Sequence, residues 1–143
     1  MCRAHATVRG LLAELVNSAG DVAVADLEAG LENFSRGTPR HADAVLIMLE
    51  PYYRSLETGA RVADLARELG VKRVQAIANK VRNAADAEAI ESFCSKRGLE
   101  LIGTVPHDDA ILDADREGRA LLDRAPSSPA VRAIQAIAAR LLG

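Results

Sequence analysis

The sequence has no tryptophan, and aromatic residues make up only 3% of its 143 positions. That scarcity argues against a surface built to stack nucleic-acid bases. There is no excess of either charge: 18 Lys and Arg stand against 20 Asp and Glu, a formal net charge of −2. The chain therefore lacks the basic footprint of a nucleic-acid or membrane binder. No apolar run is long enough to span a bilayer, and the N-terminus MCRAHATVRG has no signal-peptide core. A cytoplasmic location follows by default. Two cysteines, Cys2 and Cys94, do not make a disulfide framework. Lysine is rarest in its informative context. Of Lys72, Lys80 and Lys96, none follows a glycine or precedes Ser or Thr. The sequence thus holds no G-x-x-x-x-G-K-[ST] stretch, whose backbone N–H groups and helix N-terminus would cradle phosphates. No G-x-G-x-x-G follows a strand either, which excludes a Rossmann dinucleotide fingerprint.

What is present is ordinary: 49% hydrophobic and 27% charged residues, suited to one globular domain with a single core. Val8, Leu11, Leu12, Leu15 and Val16 recur at helical spacing, which predicts a helix over 4–19 with Gly20 just past its end. Residues 22–26, VAVAD, read as a short buried strand. The stretch 27–43 has no period and reads as loop with at most a helical turn; a loop this long in a compact domain is usually functional. AVLIMLE at 44–50 is a second buried strand, closed by Pro51. A helix over 55–69 places Val62, Leu65, Ala66 and Leu69 inward, with Gly70 as its cap. RVQAIA at 73–78 is a third strand. Asp86 is a candidate N-cap for a helix to Arg97, with Ile90, Phe93 and Cys94 inward and Gly98 as its stop. ELIGT at 100–104 is a fourth strand, and a short helix follows near 109–116. Ser128-Pro129 opens a last helix whose apolar stripe is Val131, Ile134, Ile137, Ala138 and Leu141. Strands alternating with helices predict an α/β fold: a doubly wound, mostly parallel sheet with helices on both faces.

Ligands in such sheets bind beyond the carboxyl ends of the strands. Those ends read Asp26-Leu27-Glu28-Ala29-Gly30, Glu50-Pro51, Asn79-Lys80-Val81 and Val105-Pro106-His107-Asp108. An acid such as Asp26 at a strand end can hold Mg²⁺ through water or orient an attacking water; it can equally cap a turn in the next loop. An amide such as Asn79 offers both a donor and an acceptor to a base edge, with the Lys80 stem laid along the base face. Asn79 is also a common turn residue, and taken alone the turn reading is the simpler one.

Together these segments resemble one family. DLEAGLENFSRGT (26–38), EPYYRSLETGARVADLARELGV (50–71), IANKV (77–81) and PHDDAILDADREG (106–118) look like the deviant-P-loop ATPases of the cell-division-regulator and plasmid-partition type. Within these they are most similar to the nickel-insertion ATPases that mature carbon monoxide dehydrogenase. The resemblance covers essentially the whole chain. It implies that Asp26 matches the acid near the γ-phosphate and that Glu28, Ala29 and Gly30 lie in the nucleotide-sensing switch. Asn79 would contact adenine, Lys80 would pack beside it, and Pro106 and Asp108 would border the base. ATP and Mg²⁺ are the implied ligands of the intact protein, and a homodimer with a metalloenzyme client its implied assembly.

The subfamily also carries a Cys-x-Cys pair before the helix leading to the acid strand, where two chains share a metal. Cys2 precedes such a helix and is the candidate ligand for Zn²⁺ or Ni²⁺, although one cysteine per chain supplies only two of four thiolates. An unremarkable terminal thiol is the simpler reading of Cys2, as a solvated side chain is of His5, and Cys94 is expected in the core. The family places the phosphate-loop strand between the strands matched by 22–26 and 44–50. Its absence predicts a gap in the sheet and weak or no ATP hydrolysis. The two flanking strands could close up and pair directly, or a partner could supply the missing strand; the leading expectation is a chain that corresponds to the C-terminal portion of the family domain as a truncated reading frame. Three alternatives stand beside this. One is a non-enzymatic dimerisation or partner-binding module, another a partition or cell-division type of ATPase fragment. The third is a phospho-acceptor receiver domain built on Asp26 and Lys80, which lacks the earlier acidic strand such domains need.

Overall fold

The computed structural model describes residues 22–27 and 38–142. The chain divides into two compact units, residues 1–45 with 60–74, and residues 46–59 with 75–143. The elements are a 3-10 turn at Thr38–His41, then β1 (Ala44–Leu49), α1 (Tyr53–Glu68), β2 (Arg73–Val81), α2 (Ala84–Arg97), β3 (Glu100–Pro106), α3 (Asp109–Arg116), α4 (Leu121–Arg124) and α5 (Pro129–Leu142). The strands form one parallel sheet in the order β1-β2-β3. The expected α/β class with a doubly wound parallel sheet is therefore correct.

Helix ends follow local chemistry closely. The N–H of Gly70 reaches the Arg67 carbonyl and that of Val71 the Ala66 carbonyl. Gly98 and Leu99 repeat the pattern onto Ser95 and Cys94. Both glycines hold φ near +82° and +58°, the left-handed region that a Cβ would disfavour. Ser128 caps α5 by accepting from the N–H of Val131, with Pro129 in the first turn, as expected. The cap of α2 differs from expectation. Asn83 is the N-cap and accepts from the N–H of Asp86, while the Asp86 carboxylate reaches back to the N–H of Arg82. Asp86 is thus the first-turn partner of a reciprocal cap, because the helix starts one residue after Asn83.

Three expectations about burial are corrected. Residues 22–26 are not a buried strand: they have no regular structure, and Val22 and Val24 are 67% and 90% exposed. A strand gains its stability from a ladder partner, and no strand among the described residues pairs with this segment. The run 44–50 is buried on one face only, with Val45, Ile47 and Leu49 inside and Leu46 and Met48 exposed. The helix stripes are also rotated. In α1 the buried positions are Gly59, Ala60, Ala63 and Ala66, with Val62, Leu65 and Leu69 only half-buried. Small residues win there because they let the helix backbone approach: a Cβ on Gly59 would collide with Leu49 and stand 3.3 Å from Ile47 Cγ2. In α5 the core positions are Ala130, Val131 and Ile137, while Ile134 and Ala138 face outward. Ile137 packs over Gly103 of β3, whose missing side chain gives it room, and joins Ile77, Ile102, Val105 and Ala130 in one cluster. Each such aliphatic side chain contributes about 1.5–3 kcal/mol by leaving water. On α2, Ile90 and Cys94 are buried as expected, and burial pushes the Cys94 thiol up from its ordinary range.

The strands also end later than their apolar runs. β2 continues through Asn79-Lys80-Val81 and β3 through Val105-Pro106, so the motif residues lie in the strands' last turns of pleat. The helix expected over 4–19 lies outside the described residues, as does the loop segment 28–37.

Candidate functional site

The second unit brings the ends of all three strands together. β2 and β3 pair with Ala78 opposite Thr104 and Val81 opposite Pro106, so the ladder slips by one residue across Asn79-Lys80. The slip is a bulge, and it shows in the backbone: Lys80 has φ +56°, the one positive value at a non-glycine residue among those described. An L residue in this region costs about 1–2 kcal/mol. Such strain persists where the surroundings over-determine the conformation, and it clusters at functional positions. The N–H of His107 donates to the Val81 carbonyl at 2.9 Å and closes the pairing beyond the bulge.

Two side chains clamp β1 to β2 here. Lys80 Nζ lies 2.9 Å from Glu50 Oε1, an ion pair between residues 30 positions apart. Glu50 itself is only 22% exposed, against 57% for Lys80. The N–H of Glu50 donates to Ser55 Oγ at 2.9 Å, tying the strand end to the first turns of α1. Beside this pair, Asn79 is half-buried and its amide makes no hydrogen bond among the described residues. The amide atoms are not sealed from water, so they stand free to offer both a donor and an acceptor to a ligand.

Asp108 is placed differently from its neighbours. One carboxylate oxygen accepts from the N–H of Ala110 at 3.0 Å, and so caps α3. The other accepts from the N–H of Ala130 at 3.1 Å, at the start of α5. The backbone bond from Ala130 is the largest influence on this carboxyl; with the bond from Ala110, the Ser128 hydroxyl and the charge of His107, it holds the group below the ordinary carboxylate range against a smaller opposing effect of burial. One residue therefore anchors two helix N-termini, where the helix dipoles also favour negative charge.

Among the residues singled out in the sequence, Asn79, Lys80, Pro106 and Asp108 meet at one end of the sheet. Asp26 belongs to the other unit, in the exposed segment 22–26. Glu28, Ala29, Gly30 and Cys2 lie outside the described residues. Among the described residues, no three His, Cys, Asp or Glu side chains converge as a metal site would require. The residue that sequence reasoning left without a role is Glu50. Its only signal was an acid closing a buried strand, and its partner is remote in sequence.

Curated relatives give this geometry a family. The chain is 38% identical over 127 residues to the carbon monoxide dehydrogenase accessory protein CooC of Rhodospirillum rubrum, covering 89% of this chain and 48% of that protein. The chain is a MinD/ParA-like relative of the CooC type. It is also 38% identical over 120 residues to an uncharacterized ATP-binding protein of Methanocaldococcus jannaschii, covering 83% of this chain and 46% of that one. The MinD cell division protein of Aquifex aeolicus shares the fold with a TM-score of 0.81 at 24% identity, over 97% of this chain and 61% of that chain. The MinD of Pyrococcus horikoshii, solved as a complex with Mg-ADP, superposes with a TM-score of 0.77 at 17% identity, over 96% of this chain and 56% of that one. No family model matches the chain. The chain spans about half the length of the curated relatives it matches. Among the described residues, no helix of this MinD/ParA-like chain is long and apolar enough to cross a membrane.

Proposed function

We propose that this chain forms the base-side wall of an ATP site belonging to an accessory ATPase for nickel insertion into carbon monoxide dehydrogenase. Asn79 would read the adenine edge, the Lys80 stem would lie beside the ring, and Pro106 and the Asp108 turn would border it. Asp26 would act on the phosphate side, orienting water or a Mg²⁺ ion, with Glu28, Ala29 and Gly30 as the switch and Cys2 as a metal ligand shared in a homodimer. The observation that carries the reading is the Asn79 amide: half-buried, without a hydrogen bond among the described residues, and set against a strained bulge at the strand ends. The 38% identity to a carbon monoxide dehydrogenase accessory protein supports the client.

Phosphate binding is the weak half of this site. Without a G-x-x-x-x-G-K-[ST] stretch, the chain itself should turn over ATP slowly or not at all. Ligand-observed NMR provides the test. Adenosine should bind weakly and in preference to guanosine, and Asn79→Ala should reduce that binding by about tenfold, the loss of roughly one or two hydrogen bonds. Robust Mg²⁺-dependent ATP hydrolysis by the purified chain, or adenosine binding unchanged in Asn79→Ala, would overturn the proposal.

A further inference from the structure

We propose that Glu50 is a positioning residue for the base site, acting through Lys80 as the arm that fixes where the lysine stem lies. The inference rests on the base-site reading above and adds to it the device that holds the site open and ordered.

Lys80 is not a rigid element by itself. Its side chain has four rotatable bonds and is 57% exposed, so an unrestrained stem would sample many rotamers. Two features remove that freedom. The backbone is turned by the bulge into φ +56°, which directs the side chain differently from a residue in regular strand geometry. The ammonium group is then held 2.9 Å from Glu50 Oε1. Glu50 is well placed to hold it. It is the more buried partner, it follows the last residue of β1, whose Leu49 side chain is fully buried, and its own N–H is fixed by Ser55 Oγ. The arm therefore has a rigid base and a charged tip.

An exposed ion pair contributes little to stability. A positional role follows from its geometry instead. The pair spans the ends of two adjacent strands, and Asn79, the amide lacking a partner among the described residues, is the residue immediately before Lys80. Pinning the lysine tip on Glu50 holds the stem across the strand ends, one residue along the chain from that amide. It also keeps the ammonium group from folding back onto the amide carbonyl, which would occupy the acceptor needed by a base. Preorganisation of this kind gains affinity by removing the ordering cost at the moment of binding.

The chain has only three lysines, which makes the test direct. Lysine acylation by N-hydroxysuccinimidyl acetate, read by peptide mass spectrometry, reports each amine separately. Lys72 and Lys96 are exposed and serve as internal references. In the wild-type chain Lys80 should react several-fold more slowly than these two, and millimolar adenosine should slow it further. In Glu50→Gln the rate at Lys80 should rise to that of the references, and adenosine affinity by ligand-observed NMR should fall about fivefold, with the circular-dichroism spectrum and melting temperature nearly unchanged. Lys80 as reactive as Lys72 and Lys96 in the wild type would overturn the clamp. A rate at Lys80 unaltered by Glu50→Gln would do the same. Faster acylation in Glu50→Gln with unchanged adenosine affinity would overturn the positioning role while leaving the base site standing. Adenosine that neither binds nor protects Lys80 in the wild type, with the Glu50-dependent rate difference intact, would overturn the base site itself and with it the purpose assigned to the clamp.

Discussion

Asp108 carries two helix N-termini on one carboxylate, and its removal should cost more than the loss of an ordinary cap. In Asp108→Ala the N–H of Ala110 and the N–H of Ala130 both lose their acceptor. A single N-cap contributes about 1 kcal/mol, so the two together should contribute about 2 kcal/mol, with the favourable charge–dipole effect included in that figure. For a chain of this size that corresponds to a fall in melting temperature of roughly 4–8 °C. Asp108→Asn keeps one acceptor oxygen and turns an NH₂ toward the other N–H, so it should lose about half as much, about 1 kcal/mol. The pH dependence separates charge from shape. The folded carboxyl titrates below the unfolded one, so its stabilisation is fully present above the unfolded value near 3.8 and is lost as the pH falls through the lower folded value. Urea unfolding followed by circular dichroism, at neutral pH and at steps below pH 4, measures both effects. Wild type should lose stability relative to Asp108→Asn across that acid range. A cost below about 0.5 kcal/mol for Asp108→Ala, under half the usual value of one cap, would refute the two-helix anchor. So would identical pH profiles for wild type and Asp108→Asn.

Gly103→Ala places a Cβ against Ile137, including Cδ1 at 2.8 Å; overpacking of this kind should destabilise by about 1–3 kcal/mol, and adding Ile137→Val should recover part of it in the same unfolding assay. Asn83→Ala removes the side-chain acceptor for the N–H of Asp86 and should cost about 1 kcal/mol, whereas Asn83→Asp should cost little. Cys94 is buried and its thiol is held protonated above the ordinary range, so it should react with a thiol reagent at pH 8 much more slowly in the native chain than in urea; equal rates would show that the α2 face opens freely.

The candidate site was partly legible because its residues follow the apolar runs of the strands, and strand ends are where parallel α/β sheets bind ligands. Asn79, Lys80, Pro106 and Asp108 could be chosen on that ground and from the resemblance. Their local geometry could not. The bulge that turns Lys80 depends on how β2 registers against β3, and Asn79 as a turn residue signals a break there without saying that the strand runs on through it. Asp108 looked like one member of a loop at the base, yet both its oxygens are engaged by backbone N–H groups, one of them 22 positions away. Glu50 had no role at all until its partner 30 residues on was seen.

The sequence by itself determined the α/β class, the order of β1 to α3 followed by α5, the glycine stops at Gly70 and Gly98 and the Ser128-Pro129 helix start, because these depend on periodicity and on backbone preferences of single residues; the four-residue α4 carries no such signal. Only the tertiary structure decided which faces are buried. An apolar run such as 22–26 or 44–50 states how much can be covered, while a neighbouring element decides whether it is: Val24 stays exposed, β1 buries alternate residues, and α1 turns its alanines inward rather than its leucines. The same holds for the site. Residue types announced its chemistry, but the Glu50–Lys80 clamp, the unused Asn79 amide and the double anchor at Asp108 arise from long-range contacts that local sequence does not encode.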